Sequence, residues 1–62
     1  MIQWYINSKP VPKAIARVHL ENAMPYKTRT DILYQMTQAF RKQSEAITLL
    51  ADHGVSVEQL RG

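Results

Sequence analysis

The side chains able to do covalent chemistry are few and scattered. Ser8, Ser44 and Ser56 lack the histidine–acid pairing that activates a hydroxyl, and the five carboxylates include no pair spaced for acid–base work. The chain has no cysteine, so it has neither a disulfide nor a thiolate metal site. Its two histidines, His19 and His53, stand far apart and lack ligand spacing. With 62 residues there is little room for a dry pocket. The expectation is a protein without catalysis, cofactor or metal, whose chemistry is binding. The groups suited to binding are polar and basic, and they are unevenly placed. Residues 1–30 hold Lys9, Lys13, Arg17, Lys27 and Arg29 against Glu21, five against one and a net +4. Residues 31–62 hold Arg41, Lys42 and Arg61 against Asp31, Glu45, Asp52 and Glu58, three against four and a net −1. A basic front half suits a polyanion, and it equally suits an ordinary solvated surface.

The elements that position these groups follow from periodicity. Residues 2–7 alternate, with Ile2, Trp4 and Ile6 on one face and Gln3, Tyr5 and Asn7 on the other, which predicts a strand. Asn7-Ser8-Lys9-Pro10-Val11-Pro12 ends it, since proline lacks a ladder donor and suits a first helical turn. A helix is expected over 12–24, with Ala14, Ile15 and Val18 inward and Lys9, Lys13 and Arg17 as a basic row outward; Pro25 stops it. Residues 14–20 also alternate and compete as a second strand. Thr28-Arg29-Thr30-Asp31 fits a capping box. It opens a second helix predicted over 31–53, where neither glycine nor proline occurs. Leu33, Met36, Phe40, Gln43, Ile47 and Leu50 step by three and four along its apolar stripe. Gln43 interrupts that stripe and favours packing in two zones. Gly54 reads as a left-handed helix terminator, with Leu50 and Val55 as the contact of a Schellman motif. Ser56 with Gln59, and Val55 with Leu60, predict a short helical turn over 57–61. No stretch reaches the ~18–20 apolar residues that span a bilayer. The absence of a basic leader at Met1–Ile6 and of cysteine makes a cytoplasmic location the expectation.

A short alternating strand, a proline-opened helix, and a second helix entered through Lys27-Thr28-Arg29-Thr30-Asp31-Ile32 resemble the ribbon-helix-helix family of DNA-binding proteins, the Arc and MetJ type, over about residues 2–44. The resemblance implies a mainly α fold with one N-terminal strand. It also implies an intertwined homodimer, in which the two strands pair antiparallel and lie in the DNA major groove. The outward residues Gln3, Tyr5 and Asn7 would then touch bases, Gln and Asn being suited to adenine. Thr28, Arg29 and Thr30 would clamp a phosphate on the free amides of the second helix, with Lys9, Lys13 and Lys27 as further phosphate contacts. The function implied is a dimeric transcriptional regulator of repressor type. The chain departs from the pattern in its inter-helix turn, Ala23-Met24-Pro25-Tyr26, and in the uncharged outer face of its strand.

Size argues for self-association on its own account. Below roughly 70–80 residues a single apolar core supplies only a few kcal/mol, and a second copy is the simplest supplement. The expected dimer core is Ile2, Trp4, Ile6, Ile15, Val18, Leu33, Met36 and Phe40. The rival reading is a protein–protein interaction module, an antitoxin or a small inhibitor of a host protein, that meets its partner through residues 43–60.

Overall fold

The computed structural model describes residues 1–60. They form three helices and a three-stranded antiparallel sheet, in the order β1 (Ile2–Ile6), β2 (Lys9–Val11), α1 (Lys13–Ala23), α2 (Arg29–Phe40), α3 (Ser44–Ala51) and β3 (Val55–Gln59). The strand expected at 2–7 is present as β1, but it is not alone. Asn7 and Ser8 take positive φ, 50° and 69°, and turn the chain back on itself. Two consecutive left-handed residues make the tight turn whose twist matches a hairpin. β2 therefore lies in the segment expected only to end the strand, with Trp4 opposite Val11, Tyr5 opposite Pro10 and Ile6 opposite Lys9.

The C-terminal segment supplies the other neighbour. β3 pairs with β1 from Ile2 opposite Gln59 to Ile6 opposite Val55, giving the strand order β2-β1-β3. The ladder is closed at its ends by Asn7 N–H donating to Gly54 O at 2.7 Å and by Leu60 N–H donating to Met1 O at 2.7 Å. The helical turn expected over 57–61 is thus replaced by a strand through Gln59, and Arg61 lies outside the described residues. The reason is visible in the residues: Val55-Ser56-Val57-Glu58 alternates with period two, and β1 provides a ladder that a one-turn helix forgoes.

This topology also corrects the expectation that β1 pairs with its twin. In an antiparallel ladder a residue bonds to one neighbour and its successor to the other. The bonds at Met1 and Asn7 show that odd residues of β1 face β3, so even residues face β2. Both edges of β1 are filled within one chain. The same alternation explains Pro10, whose missing N–H points away from β1 on an edge strand, where proline costs no bond.

The helices begin and end largely where local chemistry places them. α1 starts after Pro12 and ends before Pro25, so residues 14–20 are helix and not strand. α2 opens on the expected capping box: the Thr28 hydroxyl accepts from Asp31 N–H at 3.1 Å, and the Asp31 carboxylate accepts from Thr28 N–H at 3.4 Å. The single helix expected over 31–53 is instead two. Gln43 N–H donates to Gln38 O and Lys42 N–H to Ala39 O, both at 3.0 Å, which is the Schellman pattern with Lys42 in the left-handed position at φ 66°. The Gln43 side chain then accepts from Ala46 N–H at 2.7 Å and caps α3. The polar residue that interrupts the stripe is the joint itself. Gly54, at φ 78°, lies two residues beyond the cap of α3 at Asp52.

The helices cover one face of the sheet. Trp4 and Val55 from the sheet, Ala16, Leu20 and Met24 from α1 and its cap, Ile32, Met36 and Ala39 from α2, and Ala46 and Leu50 from α3 are all buried. Ile6, Val11, Leu49 and Val57 pack around them. The other face carries Gln3, Tyr5, Pro10, Ser56 and Glu58, the partners in register that alternate with these core positions. His19 ties the layers together: its Nε2–H donates to His53 O at 2.9 Å, while His53 Nδ1–H donates to Leu49 O at 2.9 Å. A carbonyl only accepts, so both ring nitrogens are donors.

Candidate binding surfaces

The trio expected to touch bases falls in three environments. Tyr5 is half-buried on the outer sheet face between Pro10 and Ser56. The Gln3 amide donates to Val11 O at 3.2 Å and to Trp4 O at 2.9 Å, so its donor side is occupied by the chain's own backbone. Asn7 sits in the hairpin turn, its N–H on Gly54 O and its side chain against the Gly54 α-carbon. The Gln3 side chain thus bonds the sheet's own backbone, whereas Asn7 is engaged through its backbone N–H and is exposed.

The expected phosphate contacts divide into two groups. Thr28, Arg29 and Thr30 lie together at the start of α2 and are exposed. Arg29 Nε stands 3.7 Å from the Glu21 carboxylate, which also pairs with Arg17. The Lys27 ammonium lies 5.8 Å from the centre of the Tyr26 ring, a distance at which the ring face attracts a cation. Lys9 and Lys13 belong to a different place, β2 and the first position of α1. Among the described residues Lys9, Lys13, Lys27, Arg41 and Lys42 make no salt bridge.

The expected dimer core also divides. Trp4 and Met36 are buried within one chain, and Ile6 and Phe40 are partly buried. Ile2, Ile15, Val18 and Leu33 are exposed. Ile15 and Val18 lie on the side of α1 opposite Ala16 and Leu20, because the buried face of this helix runs through positions 16 and 20 rather than 15 and 18.

Two hollows flank the sheet. The larger, about 640 Å³, lies between the C-terminal half of α2 and the β2–α1 junction, among Trp4, Pro10, Val11, Lys13, Met36 and Phe40. Beside it the chain leaves the sheet through Pro10 and Pro12, so it offers no continuous strand edge. The second, about 460 Å³, runs along β3 between that strand and α3, among Phe40, Lys42, Ile47, Ala51, Val57 and Gln59. Its walls are mainly apolar, Ile47 is 43% exposed, and its floor is the outer edge of the sheet. Odd residues of β1 bond Ser56 and Glu58, which leaves the N–H and C=O groups of Val55, Val57 and Gln59 facing outward along this groove.

The groove falls largely within the 43–60 segment expected for a protein partner, with Phe40 and Lys42 added from the end of α2 and the turn after it, and it exists because residues 55–59 form a strand. Residues 55–58 alternate as a strand does, while Ser56 and Gln59 also fit a capping box, so the local sequence supports both a strand and a helical turn. Ser56, three residues from His53, gains no base: it points to the outer sheet face while the His53 ring is bonded to Leu49 O. Among the described residues no helix is long and apolar enough to cross a membrane, and no group of three or more histidine, cysteine or acidic side chains is placed to hold a metal ion. No protein-family model matches the chain, and neither a curated protein nor a solved structure is significantly similar to it.

Proposed function

We propose that this protein is a binding module that acts through protein contacts, accepting an extended strand along β3. The observation that carries this reading is the outward row of backbone groups on Val55, Val57 and Gln59 beside the apolar groove of Phe40, Ile47 and Ala51. An added strand gains affinity from main-chain hydrogen bonds and specificity from alternate side chains that enter a pocket. The exposed Lys42 at the groove favours an acidic group on the incoming chain.

A second reading is favoured by a separate observation. Five basic side chains, Lys9, Lys13, Lys27, Arg41 and Lys42, are free of salt bridges among the described residues, and Arg29 with the amides at the start of α2 adds an anion-attracting end. This supports a DNA-binding regulator that holds phosphates, as the ribbon-helix-helix resemblance implies, with base contact left to Tyr5 on the outer sheet face and to the exposed Asn7.

One pair of titrations separates the two. Amide chemical shifts are followed while adding extended apolar peptides with an acidic end, and then duplex DNA at several salt concentrations. Shifts confined to Val55, Val57, Gln59, Ile47 and Ala51 with peptide are the expected result. DNA binding whose affinity falls steeply with salt, and weakens on Arg29→Ala, would favour the second reading.

A further inference from the structure

The two edges of the sheet are built differently. β2 is three residues long and carries Lys9 and Pro10. Short length, lysine and proline are the devices that keep an edge from pairing. β3 is five residues long, has neither lysine nor proline, and carries one charged side chain, Glu58 on the outer face. Its sequence is also compatible with itself. In an antiparallel pair centred on Val57, Val57 faces Val57 of a second chain, and Val55 faces Gln59 in both directions. These are the residues whose N–H and C=O point outward, so each of the three pairs can exchange two hydrogen bonds. On the outer face the same register sets Ser56 beside Glu58 of the other copy, a hydroxyl donor against a carboxylate acceptor. A shift by two residues toward the C-terminus sets Glu58 against Glu58, which like charges disfavour. A shift the other way loses an outward pair. One register therefore satisfies both the backbone and the charges.

We propose that the strand accepted by β3 is β3 of a second copy, giving a dimer with a continuous six-stranded sheet and the α3 helices on the same side of it. The proposal rests on the strand-accepting reading above and names its partner. It places the dimer interface at the edge opposite β2 and leaves β1 internal, and it brings the exposed Ile47 and Ala51 of each chain toward the junction.

The test combines sedimentation with amide exchange over a wide range of protein concentration. Mass is expected to rise from monomer to dimer, and exchange at Val55, Val57 and Gln59 to slow in parallel. Ser56 and Glu58, bonded to β1, stay protected at every concentration. Register is read with Ser56→Lys and Ser56→Glu, both on the outer face. The lysine sits beside Glu58 of the partner and tightens the dimer by about 2- to 30-fold over the two symmetric pairs. The glutamate weakens it by a similar factor. Chemical synthesis with an Nα-methyl group on Val57 removes an outward donor without touching the β1 ladder, and is expected to abolish dimerisation with an unchanged monomer fold. A chain that stays monomeric at millimolar concentration overturns self-pairing. If that monomer binds an added extended peptide with shifts at the same three amides, strand acceptance itself survives; if it does not, both fail. A dimer indifferent to both Ser56 substitutions and to the methylated Val57 overturns the proposed interface.

Discussion

Gly54 and Asn7 form the tightest approach between distant parts of the chain. Gly54 stands at φ 78°, and a Cβ placed on it meets Asn7 Oδ1 at 2.5 Å. Two effects therefore oppose a side chain there. The left-handed backbone costs an L-residue about 1–2 kcal/mol, and the contact adds to it until the Asn7 side chain moves. Gly54→Ala is expected to lower stability by at least that backbone term in urea unfolding. Repeating the substitution in an Asn7→Gly background removes the contact but leaves the φ term, so the two changes are expected to be non-additive. The left-handed character of Gly54 is legible in the sequence. Its proximity to Asn7 is not, because residue 54 reaches residue 7 only through the β1–β3 ladder.

At the scale of elements, the joint between α2 and α3 is the clearest departure from a periodic reading. An apolar stripe of steps three and four is satisfied equally by one long helix and by two helices joined by a short turn, since both keep their apolar residues on the core side. The local chemistry of residues 41–43 breaks the tie. Lys42 occupies the left-handed position of a Schellman motif that usually holds glycine, and Gln43 caps the next helix. Lys42→Gly is accordingly expected to raise stability by about 1 kcal/mol in spite of its helical surroundings, read as an upward shift of the thermal midpoint. A continuous helix through this region would show the opposite sign, because glycine inside a helix costs roughly 1 kcal/mol. The start of α2 makes the complementary case. Thr28 and Asp31 lie three residues apart and need nothing distant to find each other, and the capping box is present as expected.

The whole molecule is small enough that one core side chain matters to all of it. Chains of this size have stabilities of only ~3–9 kcal/mol at typical values per residue. Trp4 is buried on the central strand and packs with residues from both β neighbours and the helices. Trp4→Ala is expected to cost about 3–5 kcal/mol, a large share of that total. The loss of the cooperative thermal transition by circular dichroism is the measurement that checks it. The interior of this single chain already gathers Trp4 and Met36, so the core is less dependent on a second subunit than the length suggests. The exposed apolar side chains lie outside that core and include Ile47 beside the β3 edge, Ile15 and Val18 on α1, Ile2 on β1, and Leu33 and Tyr34 on α2.

The sequence by itself determined those features whose causes are local. Alternation set β1, the prolines bounded α1, Thr28 and Asp31 opened α2, and the inward face of Trp4 and Met36 followed from periodicity. Tertiary structure decided what each element pairs with. β1 needed neighbours, and the residues alone did not reveal that two segments of the same chain, one next to it and one fifty residues away, would supply both. The proline-containing hairpin arm looked unfit for a ladder until its register turned Pro10 to the open edge. Residues 55–59 carried helix-capping and strand signals together, and only the ladder offered by β1 made the strand the lower free-energy choice. For the same reason Gln3, which by type suits recognition of a partner, donates its side-chain amide to the chain's own backbone, while the unpaired backbone edge of the longer outer strand lies on β3.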